Sequence, residues 1–403
     1  MRALEIAERV RPLGAGSAFA TLDLCWRVSG PRRRTPATDD QDAHHMRTCR
    51  VDGRADPAVV PGVLPAATEK ARGLVASGRV LEAEATLRRV HRRLAERGPM
   101  TARGAVAFQL GWVLRAQGRV ESAARWLREG LAVAVLHEPE ALGYLPACLA
   151  ELAHCAALMG DVAASESILA EADAGAGPDG SLGPAARHLV PARVWTAVAR
   201  GEVSAAIAVA LGWADKAGSM ELIADRAEAL HDVVRLGIPH RVVAQLAELV
   251  ERIDQPIATT YLQHARALAA GDGPALAEVA RSFEALGMIL LAAETAAEAS
   301  WALRRRGRTG SASIWAARAR ALAGRCEGAR TPILAELDLD VPLTRREREV
   351  ATLAARGLTN RQIASLLVAS VRTIDNHLHH AYEKLGIGGR NELSSLLLPQ
   401  LGR

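Results

Sequence analysis

Seven glycines recur along the middle of the chain at a spacing that one helical hairpin fits. They are Gly78, Gly118, Gly160, Gly201, Gly237, Gly271 and Gly307, separated by 40, 42, 41, 36, 34 and 36 residues. An apolar, Ala-rich stretch stands on either side of each, most plainly in EKARGLVASGRVLEAEATLRRV and FQLGWVLRAQGRVESAARWLREGL. Inside these stretches the apolar residues fall at helical intervals, as Leu110, Val113 and Leu114 do, and Trp126, Leu127 and Leu131 within a turn or so. Glycine suits the turn because it accepts a positive φ where a helix must stop. A single hairpin cannot bury its apolar stripe, so seven of them have to stack.

The expected fold is therefore all-α: a tetratricopeptide-like α-solenoid, its period close to the roughly 34 residues of such repeats with longer loops. Composition agrees, because aromatics are only 3% of the chain and no β-branched run is long enough to read as a strand. The expected boundaries are a poorly ordered segment 1–60, a helical-hairpin domain 66–325, a linker 326–342 and a last domain 343–403. A solenoid offers a concave surface of the kind that binds proteins or peptides, although a plain scaffold has the same pattern.

Several function classes find no support. No apolar run reaches the 18–20 residues needed to cross a bilayer, and MRALEIAERVRPLG is too charged for a signal peptide, so a cytoplasmic location is expected. The five cysteines, Cys25, Cys49, Cys148, Cys155 and Cys326, form no CxxC pair and read as buried thiols. His44, His45 and Cys49 lie in a polar, unpatterned segment and make a weak metal site, so no metal and no cofactor is expected. No GxxxxGK[ST] loop and no nucleophile–base pattern is present, so the chain does not read as an enzyme.

Residues 343–398 are patterned differently. Thr344 stands three before Glu347 and Thr359 three before Gln362, two capping boxes that each open a short helix. Gly357 ends the first of these helices. Ser370 precedes VRTIDNHLHHAYEKL, which stops at Gly386, and NELSSLLL supplies a fourth helix. In the third, Ile374, Leu378, Ala381 and Leu385 form one apolar stripe, with Arg372, Asp375, Asn376, His379 and Glu383 opposite it. Four short helices with tight turns are what a helix-turn-helix domain requires. From Val341 to Arg403 nine Lys/Arg face five Asp/Glu, nearly the whole excess of +5 in the chain. A local positive face favours nucleic acid.

Over its whole length this block resembles the LuxR-type helix-turn-helix family. The resemblance is carried by Leu343-Thr344-x-Arg346-Glu347-Arg348-Glu349-Val350, Gly357, Thr359-Asn360-x-x-Ile363-Ala364, Ser370-Val371-x-Thr373-Ile374-x-x-His377, Lys384-Leu385-Gly386, and Arg390 two before Glu392. It implies that the third helix, Val371–Leu385, enters the major groove of double-stranded DNA. The positions expected to face bases are Arg372, Asp375, Asn376 and His379. Those expected to touch the backbone or fix the helix are Thr359, Asn360, Arg361, Thr373, His377 and Lys384. Asp375 departs from the family, in which many members carry Lys or Glu there; an acidic side chain repels phosphate but accepts from a cytosine amino group. The helical array followed by this domain also resembles the rear part of the large ATP-binding LuxR-family regulators, without their ATPase. A sequence-specific transcription regulator follows, acting as a homodimer on DNA, with a protein or small-molecule effector on the solenoid and RNA polymerase as a further partner. The alternative is a protein-interaction scaffold whose helix-turn-helix domain does not read DNA.

Overall fold

A computed structural model describes residues 60–136, 144–174, 185–253, 255–337 and 343–397. The segment 1–59, with His44, His45 and Cys49, lies outside the described residues. Nineteen α-helices and no strand occur among those described. Fourteen of them pair as hairpins: α1 (Val60–Ala76) with α2 (Val80–Arg97), α3 (Met100–Ala116) with α4 (Val120–Leu136), α5 (Leu145–Leu158) with α6 (Val162–Ala174), α7 (Ala186–Ala199) with α8 (Val203–Ser219), α9 (Ile223–Arg235) with α10 (Val243–Arg252), α11 (Pro256–Ala270) with α12 (Gly273–Ala285), and α13 (Ile289–Arg305) with α14 (Thr309–Ala323). A single turn, α15 (Pro332–Ala335), precedes α16 (Arg345–Ala355), α17 (Asn360–Leu366), α18 (Val371–Leu385) and α19 (Arg390–Leu397).

Consecutive helices pack on one another in the manner of a solenoid. Each of the seven spaced glycines stands between the two helices of a pair with φ between +57° and +89°. Gly118 also answers to a close approach. A Cβ there would lie 2.6 Å from the Cβ of Leu290, at the start of α13. Beside it, the Ile289 amide donates to the Gln117 carbonyl at 3.1 Å, and Leu286 lies over Gly78. The first two hairpin turns thus rest on the far end of the array.

The inward side of this curl is polar and sealed. Its residues come from the first helix of each pair. Arg115 of α3 donates to buried Glu151 of α5, whose carboxylate also meets Nδ1 of His188 on α7 at 2.7 Å. Arg235 of α9 donates to Glu294 of α13 at 2.8 and 3.0 Å and to Asp232 at 2.9 Å, and lies 4.0 Å from the Trp195 ring centroid. His231 meets His264 at 2.9 Å, and His264 meets Glu298 at 2.5 Å. Burial pushes the Glu151 carboxyl up, but Arg115 and the His188 contact outweigh it and hold the group at about 2. A concave groove was expected; this part of it is filled by the chain's own ion pairs. Such pairs add little net stability, yet losing one partner strands the other charge at a cost of about 3–5 kcal/mol. Cys148, Cys155 and Cys326 are buried free thiols, the first two pushed up by burial, in keeping with an inert role.

The interior also makes the fold acid-sensitive. Burial first, then Arg115, keeps His154 neutral well below its usual range. The unfolded chain binds a proton at this residue below about pH 6.5, so stability falls as the pH drops through that value. Glu228 acts in the opposite sense, because burial pushes its carboxyl up to about 7. The variant isolates the histidine: His154→Phe, which keeps a ring against Trp195, should flatten the loss between pH 6.5 and 5 by up to about 1.4 kcal/mol per pH unit. Urea denaturation across that range measures it, and an unchanged slope would show that His154 is not held neutral.

Candidate nucleic-acid interface

Both capping boxes form. Thr344 Oγ1 accepts from the Glu347 amide at 3.3 Å while Glu347 accepts from the Thr344 amide at 2.7 Å, and Thr359 with Gln362 repeats the arrangement at 3.3 and 2.8 Å. Ser370 caps α18 by accepting from the Thr373 amide at 3.1 Å, and Gly386 closes that helix in the left-handed region. Each cap satisfies amides that would otherwise be stranded, which is why such short helices hold. Ile374, Leu378 and Ala381 are buried with Val350, Leu353, Ile363 and Leu393 in one small core, against which Leu385 packs half-buried.

The opposite face of α18 is open. Arg372, Thr373, Asp375, Asn376, His379 and His380 are all exposed, and His377 is half-buried. Burial first, then Arg346, pushes His377 down. His379 Nε2 lies 3.3 Å from Glu383, one turn on. Asp375 Oδ1 accepts from Nδ2 of Asn360, and Asn360 Oδ1 accepts from Arg390, which also donates to the Leu358 carbonyl at 2.5 Å.

Most of the positive charge in the domain is spent on holding it together. Lys384 Nζ donates to Glu347 at 2.6 Å, Arg348 pairs with buried Glu336, and Arg346 donates to Glu349 at 2.7 Å and to the Leu367 carbonyl at 2.9 Å. Among the described residues, Arg361 and Arg372 are the exposed cations of this domain with no such engagement.

The other side of the domain is docked on the helical array. Glu349 is wholly buried and accepts from the Ser204 amide at 2.7 Å and from its hydroxyl at 3.0 Å. Ser204 is the second residue of α8, whose own flanking residue Glu202 makes no capping bond. Glu349 therefore supplies the missing cap from 145 residues away. Arg356 donates to the Arg200 carbonyl at 2.5 Å, and Thr352 lies against Gly201. Segment 326–337 is packed as well: Glu327 accepts from the Ser122 amide at 2.7 Å, and the Arg330 amide donates to the Leu158 carbonyl at 2.6 Å. Arg390 and Glu349 stood in the sequence only as matched positions. Their partners lie too far along the chain for spacing to indicate them.

A buried-core, four-helix unit with an uncovered third helix is a helix-turn-helix domain. Residues 341–397 match the family described as bacterial regulatory proteins, luxR family. The spore germination protein GerE of Bacillus subtilis is 46% identical over 50 residues, which make up 12% of this chain and 68% of GerE. A putative HTH-type transcriptional regulator of Aeromonas salmonicida is 48% identical over 59 residues, 15% of this chain and 30% of that protein. The HTH-type transcriptional regulator MalT of Serratia proteamaculans is 41% identical over 61 residues, 15% of this chain and 7% of MalT. The chain thus spans less than a third of the length of these last two relatives. Through its C-terminal domain it belongs to the LuxR family of bacterial regulatory proteins. No helix among the described residues is long and apolar enough to cross a membrane.

Two substitutions test this geometry. Glu349→Ala in the full chain leaves the α8 cap empty and Arg346 without its acid, at a cost of about 1–2 kcal/mol; exchange of the Ser204 amide should quicken at least tenfold, and unchanged exchange would refute the docking. Val368, in the turn between α17 and α18, is 94% exposed and sits at φ +49°, which a β-branched residue avoids. Val368→Gly should raise stability by about 1 kcal/mol in chemical denaturation, and a loss would mean that the turn is not strained.

Proposed function

We propose that this chain is a sequence-specific, DNA-binding transcription regulator that inserts α18 into the major groove. The observation that carries the reading is the open polar face of α18 on a LuxR-family domain whose opposite side is docked. Arg372, Asp375, Asn376 and His379 are the base-reading set, at the end of the helix and along the ridge that a groove about 12 Å wide admits. Thr359, Arg361, Thr373 and His377 meet the backbone, with Asn360 and Lys384 joining them where their contacts inside the domain release them. One recognition helix reads too few bases for a useful specificity ratio, so the working unit is a homodimer on two half-sites. The helical array is the sensor, bound by a protein or small-molecule effector, and RNA polymerase is the downstream partner. No chemical step is assigned to the chain.

The charge distribution sets the expected electrostatics. Arg361, the uncommitted arginine of the backbone-contacting set, gives about two phosphate contacts per dimer, hence a slope of log affinity against log salt near −1.8. The decisive experiment is selection from random duplexes with the full-length chain, alongside the Asn376→Ala, His379→Ala double variant. An enriched motif should appear and weaken in the variant by about 1–3 kcal/mol per lost base contact, read by fluorescence anisotropy. No enrichment by the full chain or by residues 341–403 would favour the interaction scaffold.

A further inference from the structure

An acid, Asp375, stands on the proposed reading face of this domain, and the structure shows what holds it. Asp375 is exposed, one turn before His379, yet its carboxylate is not free to rotate. Its Oδ1 accepts from the Asn360 amide nitrogen. Asn360 cannot turn over, because its own oxygen accepts from Arg390. Arg390, the first residue of α19, is anchored in turn by donating to the Leu358 carbonyl at 2.5 Å and to the Ala354 carbonyl at 3.4 Å, where α16 ends. A guanidinium has only donors and a carboxylate only acceptors, so the amide between them has one permitted orientation. The line Arg390–Asn360–Asp375 therefore runs from the back of the domain to its reading face with every proton assigned.

We propose that Asn360 and Arg390 are positioning residues that fix Asp375 as a pure hydrogen-bond acceptor toward a base carrying an exocyclic amino group, cytosine before all others. This rests on the reading of α18 as a major-groove helix and gives Asn360 a role other than phosphate contact. With Oδ1 occupied by Asn360, Oδ2 remains to meet the cytosine N4 amino group. Guanine and thymine present O6, N7 and O4 acceptors in that place, which a fixed carboxylate repels. A freely rotating carboxylate could swing away from such a base, so the tether sharpens rejection more than it adds affinity. The Arg390 charge lies behind the amide, on the side away from DNA, and also offsets the repulsion that an acid near phosphate would feel.

The test uses the full-length chain and the motif that selection gives for it. Base preference is measured position by position for wild type and for Asp375→Asn, Asn360→Ala, Arg390→Met and Arg390→Lys. A duplex with 2-pyrimidinone in place of cytosine at the Asp375 position removes only the amino group. Wild type should prefer cytosine there by about tenfold or more, and lose that preference on the pyrimidinone duplex. Asn360→Ala should cut the preference to about threefold or less at that position alone, with the other positions and the salt slope unchanged. Arg390→Lys, which keeps the charge but not the fork, should behave as Arg390→Met does. Because Arg390 also holds α16, the Asn360 variant decides the matter if the Arg390 variants unfold. Uniform weakening on every duplex, with the cytosine preference at the Asp375 position kept, would make Asn360 a phosphate contact and overturn the proposal. So would a cytosine preference that survives Asp375→Asn. If wild type selects no motif at all, the reading of α18 fails and the proposal falls with it.

Discussion

Glu349 is the residue through which the two halves of the molecule depend on each other. Its carboxylate is removed from water, which is tolerable only because two donors of Ser204 and the guanidinium of Arg346 surround it. The same contact supplies the cap that α8 lacks. The helix-turn-helix domain is thus more than a passenger on a tether. Thr352 on Gly201 and Arg356 on the Arg200 carbonyl extend the seam across one hairpin turn, so that α16 grips both the end of α7 and the beginning of α8.

The interior of the array follows the same logic at larger scale. Apolar residues alone would let successive helices slide, whereas Arg115 with Glu151 and Arg235 with Glu294 join helices at defined heights. Their reward in stability is small and the penalty for a mismatch is large. That asymmetry fixes one curvature for the array. The curl closes where α13 meets the first hairpin turns, and Gly118 leaves room for it.

Local chemistry was legible in the sequence and long-range chemistry was not. The glycine spacing, the two capping boxes and the stripe of Ile374, Leu378 and Ala381 depend on neighbours within a few residues, and each appears at its expected place. Leu385 is less buried than the stripe implied, since it ends the helix at the edge of the small core. The last domain carries a positive balance, but a sum of charges cannot say which cations face outward. Arg346, Arg348, Arg356, Lys384 and Arg390 are all engaged within the chain, with acids or carbonyls that only folding brings near. Segment 326–337 read as a linker because glycine and proline interrupt its pattern, and a periodicity argument has no way to register Glu327 meeting Ser122 some 205 residues away.

The seam on the α7–α8 turn grips the domain from behind and leaves its working face outward. A hairpin that tilted within the array would carry α18 with it, as a hand moves the pen it holds. In the dimer proposed above, such motion would alter aim: the direction and separation of the two reading helices, and so which spacing of half-sites they span together.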